Sequence, residues 1–223
     1  MRRSPQGQAH AVWALPSSFA PASNLGFWSA CGAIVSNGRF MGFSLIAAIA
    51  FTCHFSFIAI SPVIFLDDFG LTQLQFSVVL LIYGAAYVIG GVIASRLQKV
   101  INHQQQLKVG LGLISLAGVA LIALHLTTER SLLTILLPMM LCTTGTTITR
   151  PAAVSRAMDL FLGNAGAAAS MLNTTVFVTG GVISALASVT VANFEYALAS
   201  GFVGLSAIGW TVVRQIYSAQ PPA

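Results

Sequence analysis

Residues Phe40–Leu66 read FMGFSLIAAIAFTCHFSFIAISPVIFL, a run that contains no Asp, Glu, Lys or Arg. A helix needs about 20 predominantly apolar residues to cross a bilayer, so this run predicts a membrane span. Five further segments read the same way: Phe76–Leu97, Lys108–Leu126, Ser131 to about Thr149, Ala165–Val189 and Tyr196–Val213. The composition agrees, with 7% charged residues in 223 against roughly 25% in a soluble domain. Mean hydropathy is +0.85 and 56% of the residues are hydrophobic. So few charges cannot tile a wet surface, which excludes a soluble enzyme, and a disordered chain needs the opposite balance. A net charge of +5 over the whole chain makes no basic stripe, so no nucleic-acid partner is expected. The expected fold is an all-α membrane domain of six transmembrane helices, with the bilayer as its first partner.

The sparse charges sort by side. Arg2, Arg3, Arg39, Arg96, Lys99, Lys108, Arg150, Arg156 and Arg214 fall at one end of the predicted spans. Only Arg130 falls at the other, together with Asp67, Asp68, Glu129 and Glu195. Basic residues in short loops mark the cytoplasmic side, which predicts both termini inside. Residues 1–38 read as a cytoplasmic linker, 39–214 as the transmembrane domain and 215–223 as a cytoplasmic tail. No apolar run precedes Pro16, so no cleaved signal peptide is expected. Leu25, Trp28, Cys31, Ile34 and Val35 recur at helical spacing and suggest a short interfacial helix.

Catalytic patterns are missing. The sequence has no GxSG-type serine, HExxH, Walker lysine loop or paired Asn-Pro-Ala, and no carboxylate lies within a predicted span. Cys31, Cys53 and Cys142 have no pairing at metal spacing and read as small apolar residues, so neither metal nor cofactor is expected. His54 is the exception in the apolar runs. On a helix it shares a face with Ala47, Phe51, Phe57 and Ser61, and it reads either as a substrate or proton contact or as a histidine bonded to a neighbouring helix. Pro62 should kink or end that helix near Ser61, with Asp67–Gly70 forming the turn. Thr143, Thr144, Thr146, Thr147 and Thr149 wrap most of the fourth span, most of them expected to bond back to their own helix. In the fifth, Ser170, Asn173, Phe177, Gly180, Gly181, Ser184 and Ser188 form one stripe. There the small residues suit packing, while Asn173 with Phe177 is a second cavity candidate. Gly84, Gly90, Gly91, Gly110, Gly112 and Gly118 also read as packing positions.

Three stretches resemble a known family. Ser61-Pro62-Val63-Ile64-Phe65 with Gly70-Leu71 and Gln75-Phe76, and Gly163-Asn164-Ala165-Gly166-Ala167-Ala168-Ala169-Ser170, are similar to blocks at helices seven and eleven of bacterial drug:proton antiporters. Trp13-Ala14-Leu15-Pro16-Ser17-Ser18-Phe19-Ala20 and Asn37-Gly38-Arg39-Phe40 resemble that family's central linker and the entry to helix seven. These are the bicyclomycin/chloramphenicol-resistance type of the major facilitator superfamily. The resemblance implies the second half of a twelve-helix transporter in a bacterial inner membrane, effluxing drug-like molecules by proton-coupled alternating access. By the same analogy His54, Phe57, Thr146, Asn173 and Phe177 would contact substrate, and a complementary six-helix half or a second copy would complete the cavity. The family's coupling acids have no counterpart here, Ser17 stands for the linker Glu, and Ala152 for an Asn after the proline. An inactive transporter fragment, favoured by the linker-like beginning, and a six-span structural subunit are the competing expectations.

Overall fold

The computed structural model describes residues 27–188 and 194–218. These form helices α1 (Phe27–Val35), α2 (Gly38–Pro62), α3 (Gln73–Leu97), α4 (His103–Thr127), α5 (Leu132–Asp159), α6 (Ala165–Ser188) and α7 (Phe194–Ser218). Helices α2 to α7 are each long and apolar enough to cross a membrane, and no strand occurs among the described residues. The protein is a multi-pass, all-helical membrane protein.

Polar side chains set where the helices start. Asn37 Oδ1 accepts from the N–H groups of Arg39 and Phe40 at 3.1 and 3.0 Å. Thr72 with Gln75, Asn102 with Gln105 and Ser131 with Thr134 form reciprocal capping boxes at α3, α4 and α5. Each cap satisfies N–H groups that the helix itself leaves unpaired, an effect of about 1 kcal/mol. Helix α1 exists as the spacing suggested: Ala30, Cys31 and Ile34 are buried against α2 and α6, while Trp28 is exposed.

Helices α2 and α5 form the centre. Helix α4 packs on α5 and α7, α3 on α5, and α6 on α2. Two glycines let α4 and α5 touch backbone to backbone: a Cβ on Gly145 would lie 2.7 Å from the Gly110 carbonyl oxygen. Gly118 meets α7 at the Ala199 carbonyl in the same way, and Gly90 meets α5 at Thr144 and Thr147. The packing role expected of glycine therefore holds for Gly90, Gly110, Gly118 and Gly180, whereas Gly84, Gly91, Gly112 and Gly181 face open space.

Two boundaries differ from the sequence reading. The α-helical part of α2 ends at Pro62, beside the kink or end expected near Ser61, but the chain continues in a π-helical segment, Val63–Asp68, so Asp67 and Asp68 are helical and not part of the turn. The wider i→i+5 spacing accommodates a residue without an N–H, and Phe69 N–H bonds to Ile64 O at 3.1 Å. Gly70 then turns the chain at φ +63°, a left-handed conformation that glycine adopts without penalty. Helix α5 likewise continues past Thr149 and Pro151 to Asp159, because Ala152, Ala153 and Ala157 bury a further apolar face. Arg150 is thus a helical residue inside α5, not a loop residue. Helix α7 runs to Ser218.

At one end of the bundle three connections meet. Arg130 Nη2 donates to Asp68 at 2.9 Å, and its Nε donates to Glu195 at 2.8 Å. His125 Nδ1 reaches the second Glu195 oxygen, and the Arg130 guanidinium lies 5.4 Å from the Phe69 ring centroid. Partial desolvation of Arg130 would lower its pKa, but its hydrogen bonds to the Asp68 and Glu195 carboxylates, with their charges, outweigh it and hold the pKa above the usual value.

Candidate functional site

Helices α2, α3 and α5 converge on His54. Its Nδ1 lies 2.7 Å from Tyr83 Oη and 3.3 Å from Thr143 Oγ1, and Thr143 donates its own proton to the Tyr83 oxygen. With its own proton free, Tyr83 can donate to Nδ1, an arrangement that suits a neutral imidazole carrying its proton on Nε2. Tyr83 stacks on the imidazole at 5.5 Å between centroids, and Tyr87, one turn along α3, sits 5.4 Å away. The ring is half-buried, so the group borders open space.

The other sequence candidates divide. Thr146 is buried and donates to the Ala50 carbonyl of α2 at 3.0 Å. Phe57 is fully buried, edge-on to Phe65 and beside Tyr83. Both lie behind the open face, Thr146 bridging α5 to α2 and Phe57 packing between α2 and Tyr83 of α3. Phe177 is exposed and meets Phe51 edge-on at 5.5 Å, while Phe51 stacks on Phe55. Asn173 is exposed and lines a cavity of about 430 Å³ over α5, between α3 and α6. Of the five threonines, Thr144, Thr147 and Thr149 bond back to α5. Thr143 and Thr146 instead cross to other helices.

Three residues that sequence reasoning passed over belong to this face. Tyr83 and Tyr87 sit four apart in an apolar helix, a spacing that places both on one side. Arg150 lines the same cavity as Asn173 and Tyr87, with its guanidinium 5.2 Å from the Phe51 centroid. A larger hollow of about 860 Å³ opens at the basic end among α2, α6 and α7, and none of the five sequence candidates lines it.

A six-span helical bundle with a polar, aromatic face on its central helices has the character of a membrane transport domain. The sequence model of the Major Facilitator Superfamily matches residues 2–185, and the chain belongs to that family of membrane transporters. No curated protein matches the sequence significantly.

Proposed function

We propose that these six helices form one wall of a transport cavity for drug-like small molecules, completed by a second six-helix body. The carrying observation is where the polar groups sit. His54, Tyr83, Tyr87, Arg150 and Asn173 gather on the face between α3 and α6, the two helices least buried in the bundle. Ionisable and amide groups within spans are costly in lipid and mark pathways or binding sites. Family transporters bind substrate near the bilayer midplane and rock one half against the other. The motif resemblance supports the second half of an antiporter of the bicyclomycin/chloramphenicol-resistance type, lying in a bacterial inner membrane with the basic ends of its helices cytoplasmic. Carboxylates for proton coupling would then come from the complementary half, and His54 is the titratable group offered from this side.

The test is efflux from cells. The chain is expressed alone and together with a six-helix first half of an antiporter of that type, and extrusion of a fluorescent drug-like dye is followed with and without a protonophore. Extrusion should need both halves, stop with the protonophore, and fall with His54→Ala or Asn173→Ala at unchanged membrane insertion. Background extrusion from every combination, with the chain stably inserted, would sink the reading in favour of an inactive fragment.

A further inference from the structure

The cavity between α3 and α6 carries a charge that no carboxylate among the described residues pairs with. Arg150 lies nine residues inward from Asp159, about 13 Å along α5 at 1.5 Å per residue. Its guanidinium rests on Phe51, itself twelve residues inward from Arg39 on α2. Described ion pairs join Arg130, His125 and Arg156 to carboxylates; Arg150 has none. A guanidinium at this depth without an anion is expensive. Its five donors in a planar fork match a carboxylate edge to edge.

The rest of the lining fits that ligand. Asn173 and Tyr87 add an amide and a phenol to the wall, and no intramolecular hydrogen bond holds either polar group among the described residues. Thr147 is occupied by the Thr144 carbonyl. No Asp or Glu lines the cavity, while Pro151, Val154, Met158, Ala169 and Leu172 make the remaining wall apolar. At about 430 Å³ the space falls within the range of small-molecule sites. A carboxylate side chain from a facing helix would satisfy Arg150 but bring no apolar body for those five residues. A free amphiphilic acid supplies both.

We infer that this cavity binds an amphiphilic organic anion: Arg150 pairs with its carboxylate, Asn173 and Tyr87 supply further hydrogen bonds, and the Val154–Met158–Leu172 wall takes its apolar body. This rests on the transport reading by adding the class of substrate to it, yet binding can be measured without transport. The full chain in nanodiscs is titrated with 1-naphthoate, with 1-naphthylmethylamine and with 1-naphthalenemethanol, three probes that share one ring and differ in charge. Naphthoate should bind saturably and at least tenfold more tightly than the amine or the alcohol. Arg150→Gln should weaken naphthoate at least tenfold and leave the other two unchanged. Arg150→Lys, which keeps the charge but loses the fork, should weaken naphthoate only a few-fold and report that the cavity is still folded. Absence of saturable naphthoate binding, indifference of that binding to Arg150→Gln, or equal binding of the amine would overturn the inference and leave Arg150 as the counter-charge of a carboxylate on another helix. Failure of efflux with intact naphthoate binding would count against the transport reading alone.

Discussion

Helices α2–α4 and α5–α7 are two versions of one arrangement. In the most apolar stretch of each helix, 61% of residues are buried in both α2 and α5, 22% and 17% in α3 and α6, and 33% in both α4 and α7. Helix α3 leans on α5 as α6 leans on α2, and α4 pairs with α7. Transporters of this family nest inverted three-helix repeats within each half, and this burial pattern is what such a repeat predicts. The chemistry is not repeated. The α2–α4 set brings His54, Tyr83 and the Phe51–Phe55 stack, whereas α5–α7 brings the threonines, Arg150 and Asn173. Matching burial with different polar residues on either side gives a symmetric scaffold and an asymmetric face.

The seams between the sets differ too, and that difference offers the largest test. The α4–α5 seam is backbone against backbone at Gly110 and Gly145, while its counterpart sets Gly42 of α2 against the flexible end of Ile216 on α7. Alanine in place of glycine gains about 1 kcal/mol of helix propensity at either site, but overpacking a tight contact costs about 1–3 kcal/mol or more. Gly145→Ala should therefore destabilise by about 2 kcal/mol, and Gly42→Ala should be near neutral. Denaturant unfolding in detergent followed by circular dichroism measures both, and equal effects would break the distinction between the seams.

Next in size is the ionic group that ties the sets together at the acidic end. Glu195 is 9% exposed in its side chain and serves both Arg130 and His125, whereas Asp68 is 38% exposed and shares only Arg130. Only the Glu195 end of this group is buried, so its loss leaves two partly exposed cations, one still paired with Asp68, while exposed pairs contribute about 0–1 kcal/mol. Glu195→Ala should cost about 1 kcal/mol and Asp68→Asn well under that. In the same unfolding assay, a larger loss from Asp68→Asn would contradict this ranking.

Much of this architecture was legible in the residues. All six spans and the packing glycines Gly90, Gly110, Gly118 and Gly180 follow from hydropathy and small-residue spacing. The helical stretches beyond Pro62 and Thr149 do not follow, because Pro62 reads as a kink or an end and the apolar run of the fourth span reads as closing near Thr149. In one case a π-helical segment absorbs the missing N–H, and in the other buried alanines extend the helix. That error displaced Arg150 to a loop and hid it from the site. His54 stood out as an ionisable group in an apolar run, but Tyr83 and Tyr87 did not, since tyrosine is common in membrane helices. Nor does periodicity distinguish Phe57, which packs behind the face, from Phe51, which borders it. Both sit on the His54 side of α2, and only the neighbouring helices separate them.

A smaller contrast concerns the outer helices. A Cβ on Gly90 would meet Thr147 Oγ1 and lie 3.2 Å from the Thr144 backbone, but on Gly180 it would meet the Phe51 ring edge at 3.2 Å. Thr147 is held by its own helix, whereas a half-buried phenyl ring can move by a few tenths of an ångström. Gly90→Ala should therefore cost about 1 kcal/mol after its propensity gain, and Gly180→Ala about zero. The reverse order in thermal unfolding would mean that α6, and not α3, is the tighter outer helix.

The smallest expected effect tests whether the His54 group couples the two sets. Tyr83→Phe removes one donor to Nδ1, yet Thr143 Oγ1 already lies 3.3 Å from that nitrogen and can replace it. Thr143→Val removes only the donor to the Tyr83 oxygen and leaves the 2.7 Å Tyr83 contact to Nδ1 in place. Each single change should therefore cost under about 1 kcal/mol, the net value of one hydrogen bond. The double change leaves Nδ1 half-buried with neither partner, so its cost should exceed the sum of the single costs by about 0.5–1 kcal/mol. That excess links a residue of α3 to one of α5 through a side chain of α2. Strict additivity in the unfolding cycle would instead make Tyr83 and Thr143 independent neighbours of His54.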